Sequence, residues 1–139
     1  MPTLKQLISI GETSPLNKAM SRDEVCEVLG DCEGHYDYGD TTTEKRGPFQ
    51  LVFQAKRLSK VEWFLSDDGT TTYEITDGGL TTTTTVNEFL DYCDREGIPW
   101  SIESSLSFDR QLAIRTCKSV FVIFDLDQRE LQKVSVELA

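Results

Sequence analysis

The chain has 139 residues, 38% of them apolar, with 14 basic and 24 acidic side chains and one histidine, for a formal charge of −10. That length makes one compact domain (1–139), or two small halves sharing a core, and it buries enough apolar surface to fold without staples. The acidity, divided about equally between the halves, speaks against nucleic acid, whose phosphates need a basic stripe, and for a basic partner.

The opening MPTLKQLISIGETSPLNK is broken by Lys5, Gly11, Glu12 and Pro15 before an apolar segment of signal-peptide length can form. No later run approaches membrane-spanning length, so no membrane association and a cytoplasmic location are expected. Four cysteines in a chain with its own core and no sign of export are expected to be free thiols. Ser21-Arg-Asp-Glu24 matches a capping box. It starts a helix with Met20 and Val25 at staple positions, an apolar stripe of Val25, Val28 and Leu29, and Gly30 as its stop.

HYDYGDTTTEKRG, poor in apolar residues, reads as an irregular loop or weak edge strand before Phe49. FQLVFQ (Phe49 to Gln54) and RLSKVEWFL (Arg57 to Leu65) then read as a strand, a polar turn and a second strand. VEWFLSDDGTTTYEIT predicts a hairpin turning at Asp67-Asp68-Gly69, with Tyr73 and Ile75 on one face. The run from Thr81 leads, as a strand end or linker, into a second helix. Thr85-Val-Asn-Glu88 caps that helix, its stripe is Val86, Phe89, Leu90 and Cys93, and Gly97 and Pro99 end it. PWSIESSLSF alternates Trp100, Ile102, Leu106 and Phe108 against polar residues, which predicts a strand with one wet face. VFVIFD (Val120 to Asp125) and ELQKVSVEL (from Glu130) repeat the earlier strand pair with a longer turn between them.

The expected fold is therefore α+β, with two helices packed on one side of a largely antiparallel sheet. It is built from two similar helix-then-strands halves, about 1–76 and 77–139. An α+β meander produces such echoes by chance as well, but the shared capping box is harder to reach that way. The core should contain Val25, Leu29, Phe49, Leu51, Phe53, Val61, Trp63, Phe89, Leu90, Ile102, Val122, Phe124, Val134 and Val136.

GETSPLNKAMSRDEVCEVLG followed by GPFQLVFQAKRLSKVEWF resembles a group of small, mostly uncharacterised bacterial proteins with the pattern LGxISPLxxGMSREEVxxxLG … YGxLEFHFxxxRLxxI. SSLSFDRQLAIRT and FVIFDLDQRELQKVSVE resemble the second half of that group. The resemblance implies a fold and carries no activity to any residue. The chain departs from it at Glu44, Lys45 and Arg46, where the group often has an aromatic pair, and after Leu29-Gly30, where Cys32 stands near a replaced proline. A looser similarity of tandem helix-plus-sheet units is to the β-lactamase-inhibitory-protein and small outer-membrane lipoprotein folds, whose shared business is protein binding; that is analogy of architecture.

No nucleophile elbow, phosphate-cradling loop or dinucleotide fingerprint occurs. The single histidine, His35, sits among turn formers and reads as a solvated loop residue. Cys26 and Cys32 are too far apart in sequence for a zinc knuckle. Cys26 and Cys93 lie on or beside helix stripes as core thiols, and Cys117 reads as a structural strand-end thiol. Asp125, Asp127 and Glu130 lack the spacing of a calcium loop and read as a hairpin turn. No catalytic residue, metal site or cofactor is expected.

From Asp23 to Glu44, eight carboxylates occur without one lysine, and Tyr36 and Tyr38 are interleaved among them. Tyrosines bring contact area at small entropic cost, while the acids steer a basic partner. A solvated helix face followed by a turn rich in aspartate would have the same composition. On this composition Asp31, Glu33, Tyr36, Asp37, Tyr38 and Asp40 are the candidate partner-binding residues of a non-enzymatic protein-binding module. It would be an immunity or inhibitor protein neutralising a basic partner such as a toxin domain. The competing expectations are a small-ligand or enzymatic domain with a pocket between helices and sheet, rimmed by Cys32 or His35, and a homo-oligomer assembled through edge strands.

Overall fold

A computed structural model describes residues 4–47, 49–64, 80, 83–117, 119–127 and 130–138. The expected hairpin at Asp67-Asp68-Gly69 and the junction of the two halves lie outside the described residues. The fold is α+β, as its sequence predicts. The helices are α1 (Leu4–Ile10), α2 (Arg22–Leu29) and α3 (Val86–Glu96). The strands are β1 (Gly34–Tyr38), β2 (Thr41–Arg46), β3 (Phe49–Gln54), β4 (Arg57–Phe64), β5 (Ser101–Ile102), β6 (Gln111–Cys117), β7 (Val120–Asp125) and β8 (Glu130–Glu137). All eight form one antiparallel sheet in the order β1-β2-β3-β4-β8-β7-β6-β5.

That order explains the twice-written strand. Each half is a helix followed by a four-stranded meander, and the halves meet where β4 pairs with β8. At the centre of the seam Glu62 pairs with Ser135, the residue at the same place in the other strand, flanked by Val61 with Val136 and Trp63 with Val134. A pseudo-twofold axis therefore runs through the seam. Smaller details repeat as well. The register slips at Val52/Phe53 against β4 and at Ile123/Phe124 against β8, so the bulge falls at equivalent places. Leu58 N–H donates to Met20 O at 2.8 Å and Leu131 N–H to Thr84 O at 3.0 Å, each acceptor standing just before a helix cap.

Both capping boxes are present: Ser21 and Glu24 bond each other's backbone at α2, and Thr85 and Glu88 do so at α3. The two bonds from Ser21 hold the Glu24 carboxyl below its ordinary range. The cap thus supports α2 at neutral pH and gives way as pH falls through that lowered range. Phe89, Tyr92 and Cys93 bury the inner face of α3 against Val120, Val122, Phe124, Leu131 and Val134. Under α2 a smaller cluster holds Leu16, Val25, Leu51, Phe53, Leu58 and Val61.

The structure corrects several sequence readings. Of the two readings of HYDYGDTTTEKRG the loop is set aside and the edge strand holds: the segment is a regular hairpin, β1–β2, with β1 at the sheet edge. It turns at Gly39 and Asp40, and Gly39 takes φ 59°, which a two-residue turn with glycine first requires. PWSIESSLSF forms only the two residues of β5 and then a 3-10 turn, Ser104–Leu106, so Ile102 is 59% exposed rather than core. Trp100 also lies at the surface, its Nε1 donating to Asp94 Oδ1 at 3.1 Å. Val28 faces solvent, while Leu29, Phe49 and Leu90 are half-buried at the core's margin. A helix not anticipated, α1, packs on β6 and β7 of the second half through Leu7 and Ile8, and Thr116 Oγ1 donates to Ile8 O at 2.7 Å.

The turn joining β3 to β4 holds Ala55 at φ 47° and Lys56 at φ 67°, the type I′ conformation that Asn-Gly adopts at least cost. Ala55→Asn with Lys56→Gly should stabilise the protein by about 1 kcal/mol through relief of left-handed strain. A urea-unfolding midpoint that does not rise would show that the strain is met elsewhere.

Candidate functional site

The first half's outer edge is built on a polar frame. β2 reads TTTEKR and has no apolar residue to turn inward, so its inward positions are filled by Thr42, Glu44 and Arg46. Glu44 is 2% exposed and is held by two guanidiniums: Arg22 Nε of α2 lies 2.6 Å from Oε2, and Arg46 Nε lies 3.0 Å from Oε1. Arg46 Nη1 also donates to Gly30 O, the last turn of α2, at 2.6 Å. The Glu44 carboxylate raises the Arg22 guanidinium above its ordinary range, and that guanidinium also reaches the Cys32 thiol. This bridge pins α2 to the hairpin, which matters because Val25 is the one buried residue of that helix.

Strand alternation then places the sequence-predicted residues. Because His35 pairs with Glu44 and Asp37 with Thr42, His35 and Asp37 share the helix-side face. Tyr36 and Tyr38, paired with Thr43 and Thr41, lie on the opposite face. All five residues of β1 are exposed, Tyr36 at 69% and Tyr38 at 76%. Asp37 Oδ1 accepts from Thr42 Oγ1 at 2.7 Å, and its Oδ2 lies 3.6 Å from His35 Nε2. Asp40 occupies the hairpin turn. Asp31 and Glu33 lie between α2 and β1: Asp31 Oδ1 accepts from Cys26 Sγ at 3.3 Å, and Glu33 Oε1 accepts from Gly47 N–H at 2.7 Å.

The six candidates thus share one edge but wrap around it onto two faces. Asp31 and Glu33 rim a cleft of about 340 Å³, together with Arg46, over an apolar floor of Leu16, Leu29, Phe49 and Leu51. Asp37 and Asp40 line a broader groove of about 810 Å³ between the start of α2 and the hairpin, with Asp23, Arg22 and Lys56. Among the described residues, no lysine or arginine bridges Asp31, Glu33, Asp37 or Asp40. The guanidiniums that line the cleft and the groove, Arg46 and Arg22, are engaged by Glu44.

Sequence reading missed the Arg22–Glu44–Arg46 bridge and the apolar cleft floor. One signal for the bridge was available: a strand without apolar residues must fill its inner face with polar ones that satisfy each other. Cys26, expected in the core, is half-buried beside Asp31, whose acceptor oxygen pushes its thiol up. Burial pushes the Cys93 thiol up to about 11. At pH 8, Asp31→Asn should speed alkylation of Cys26 while Cys93 stays unlabelled until the chain unfolds, as followed by mass spectrometry. An unchanged Cys26 rate would mean that Asp31 does not govern the thiol.

Among the described residues, no group of three His, Cys, Asp or Glu side chains is placed to hold a metal ion, and no helix is long and apolar enough to cross a membrane. Comparison of the chain with protein-family models, with curated proteins and with solved structures returns no match.

Proposed function

We propose that this chain is a non-enzymatic protein-binding module that receives a basic partner along the β1 edge. The observation that carries the reading is that β1 buries no side chain for its own fold yet carries two largely exposed tyrosines among carboxylates that no described lysine or arginine bridges. Tyrosine rings desolvated against a partner supply affinity, and carboxylates at the rim speed encounter with a basic surface and reject an acidic one. The finer form of the proposal is an immunity or inhibitor protein acting in the cytoplasm. Its partner would carry a phosphate-binding face, as a toxin nuclease does, and the edge would cover that face.

Affinity capture from lysate at low and high salt should be run with the wild type beside a variant carrying Asp31→Asn, Glu33→Gln, Asp37→Asn and Asp40→Asn. One basic protein recovered stoichiometrically by the wild type, and lost both in salt and with the variant, is the expected result. A partner that the variant keeps equally well would sink this surface.

The cleft supports a second reading, because about 340 Å³ over Leu16, Leu29, Phe49 and Leu51, with Asp31, Glu33 and Arg46 at the rim, has the make-up of a small-ligand site. Thermal stabilisation by a metabolite with a cationic group would favour it, provided that no protein is captured.

A further inference from the structure

We propose that β1 pairs with β1 of a second copy of this chain, antiparallel about a twofold axis at Tyr36, so that two sheets join edge to edge. The backbone groups that β1 leaves free set the pairing. Ala55 N–H donates to Asp40 O at 2.9 Å, which makes Asp40 and Ala55 a hydrogen-bonded pair. Following the register from there, Thr42, Glu44 and Arg46 direct their backbone bonds to β3, while Thr41, Thr43 and Lys45 direct theirs to β1. Glu33 N–H donating to Lys45 O at 2.9 Å agrees with this phase. Gly34, Tyr36 and Tyr38 therefore bond to β2, and the N–H and C=O groups of His35 and Asp37 point out of the sheet.

Such an edge is a template for another strand, and the sequence GHYDY is complementary to itself. An axis at Tyr36 sets His35 of each copy opposite Asp37 of the other, and these are the residues whose backbone groups are free to bond across. An imidazole and a carboxylate, which can hydrogen-bond to each other, then face each other on both sides of the axis. Tyr36 meets its own copy at the centre. Gly34 falls opposite the second copy's Tyr38. A Cβ built on Gly34 meets nothing within 4 Å, so the incoming ring has space there, next to Lys45, the β2 partner of Gly34.

All side chains of β1 are exposed, so pairing disturbs no buried contact, and the 3.6 Å approach of His35 to Asp37 within one chain is exchanged for the same pair across the axis. Among the described residues the other end of the sheet is β5, only two residues long, which is too short to pass the pairing on. The assembly therefore closes at two copies. The second copy and the basic partner would hold the same edge in turn, the partner displacing a copy whose carboxylates repel; the dimer's test uses the purified chain alone, so its failure is distinguishable from that of the capture experiment.

Sedimentation of the wild type over a wide concentration range should give a reversible monomer–dimer equilibrium. His35→Pro removes one outward N–H per copy and no bond to β2, so it should weaken the dimer about tenfold or more with the monomer's circular dichroism unchanged. His35→Asp, which sets two carboxylates opposite each other, should also weaken it, and adding Asp37→His to that variant should restore it. His35→Lys should tighten the dimer about threefold through a charged pair on each side of the axis. A wild type that stays monomeric throughout overturns the proposal and leaves the edge to an extended segment of another protein. A dimer indifferent to His35→Pro and to the charge swap overturns it as well, because it must use another surface.

Discussion

Glu44→Ala should cost the fold about 3 kcal/mol or more, read as a drop in the urea midpoint at unchanged slope. Truncation leaves Arg22 and Arg46 facing each other with no anion between them. Arg46, whose side chain is 9% exposed, cannot reach water without leaving the Gly30 carbonyl that it holds. Against a typical total stability of about 5–15 kcal/mol this is a severe loss. It should be felt first in α2 and the β1–β2 hairpin, where amide exchange will quicken before that of β7 and β8. Replacing Arg22, Glu44 and Arg46 together by Met, Leu and Met should be far milder, since buried bridges exchanged whole for packed apolar groups are often neutral or stabilising. A Glu44→Ala protein as stable as the wild type would mean that α2 is held by its apolar contacts alone.

The second large effect belongs to the tyrosines. Tyr36→Ala and Tyr38→Ala should each weaken partner binding by about 2 kcal/mol, roughly 30-fold, mainly through faster dissociation. Both rings are largely exposed in the free chain, so unfolding midpoints should stay within about 0.5 kcal/mol of the wild type. Neutralising Asp31, Glu33, Asp37 and Asp40 should instead slow association by about tenfold or more at low salt, with less effect as salt rises. Surface plasmon resonance separates the two. Tyrosine variants that bind as tightly as the wild type would remove these rings from the interface and leave a purely electrostatic contact.

The features legible in the sequence were those written locally. A capping box needs only a hydroxyl and a carboxylate three residues apart, and both boxes form as read. The paired runs FQLVFQ/RLSKVEWF and VFVIFD/ELQKVSVE carry alternating or continuous apolar residues, so their strands and the antiparallel sheet were visible too. The β1–β2 hairpin was hidden because its stability comes from a glycine turn and a buried ionic bridge rather than apolar alternation. PWSIESSLSF misled in the opposite way: its alternation is real, but the segment turns at Glu103 into a 3-10 turn, leaving Ile102 and Phe108 without a facing layer. As for the site, the run of acids and tyrosines marked the edge. It could not show that Glu44, a member of that run, turns inward as the counter-ion of two arginines, nor that the remaining acids divide between a cleft and a groove.

The axis through Glu62 and Ser135 bears on valency. A scaffold with a perfect internal dyad would offer the same contact twice, once at each end of its sheet, and would cross-link whatever it bound. Here the ends have diverged: one carries the five-residue β1 with its tyrosines, and the other carries the two-residue β5. The repetition that gives the protein its continuous sheet is thus broken at the rims, and among the described residues one end alone presents a strand long enough to pair with another.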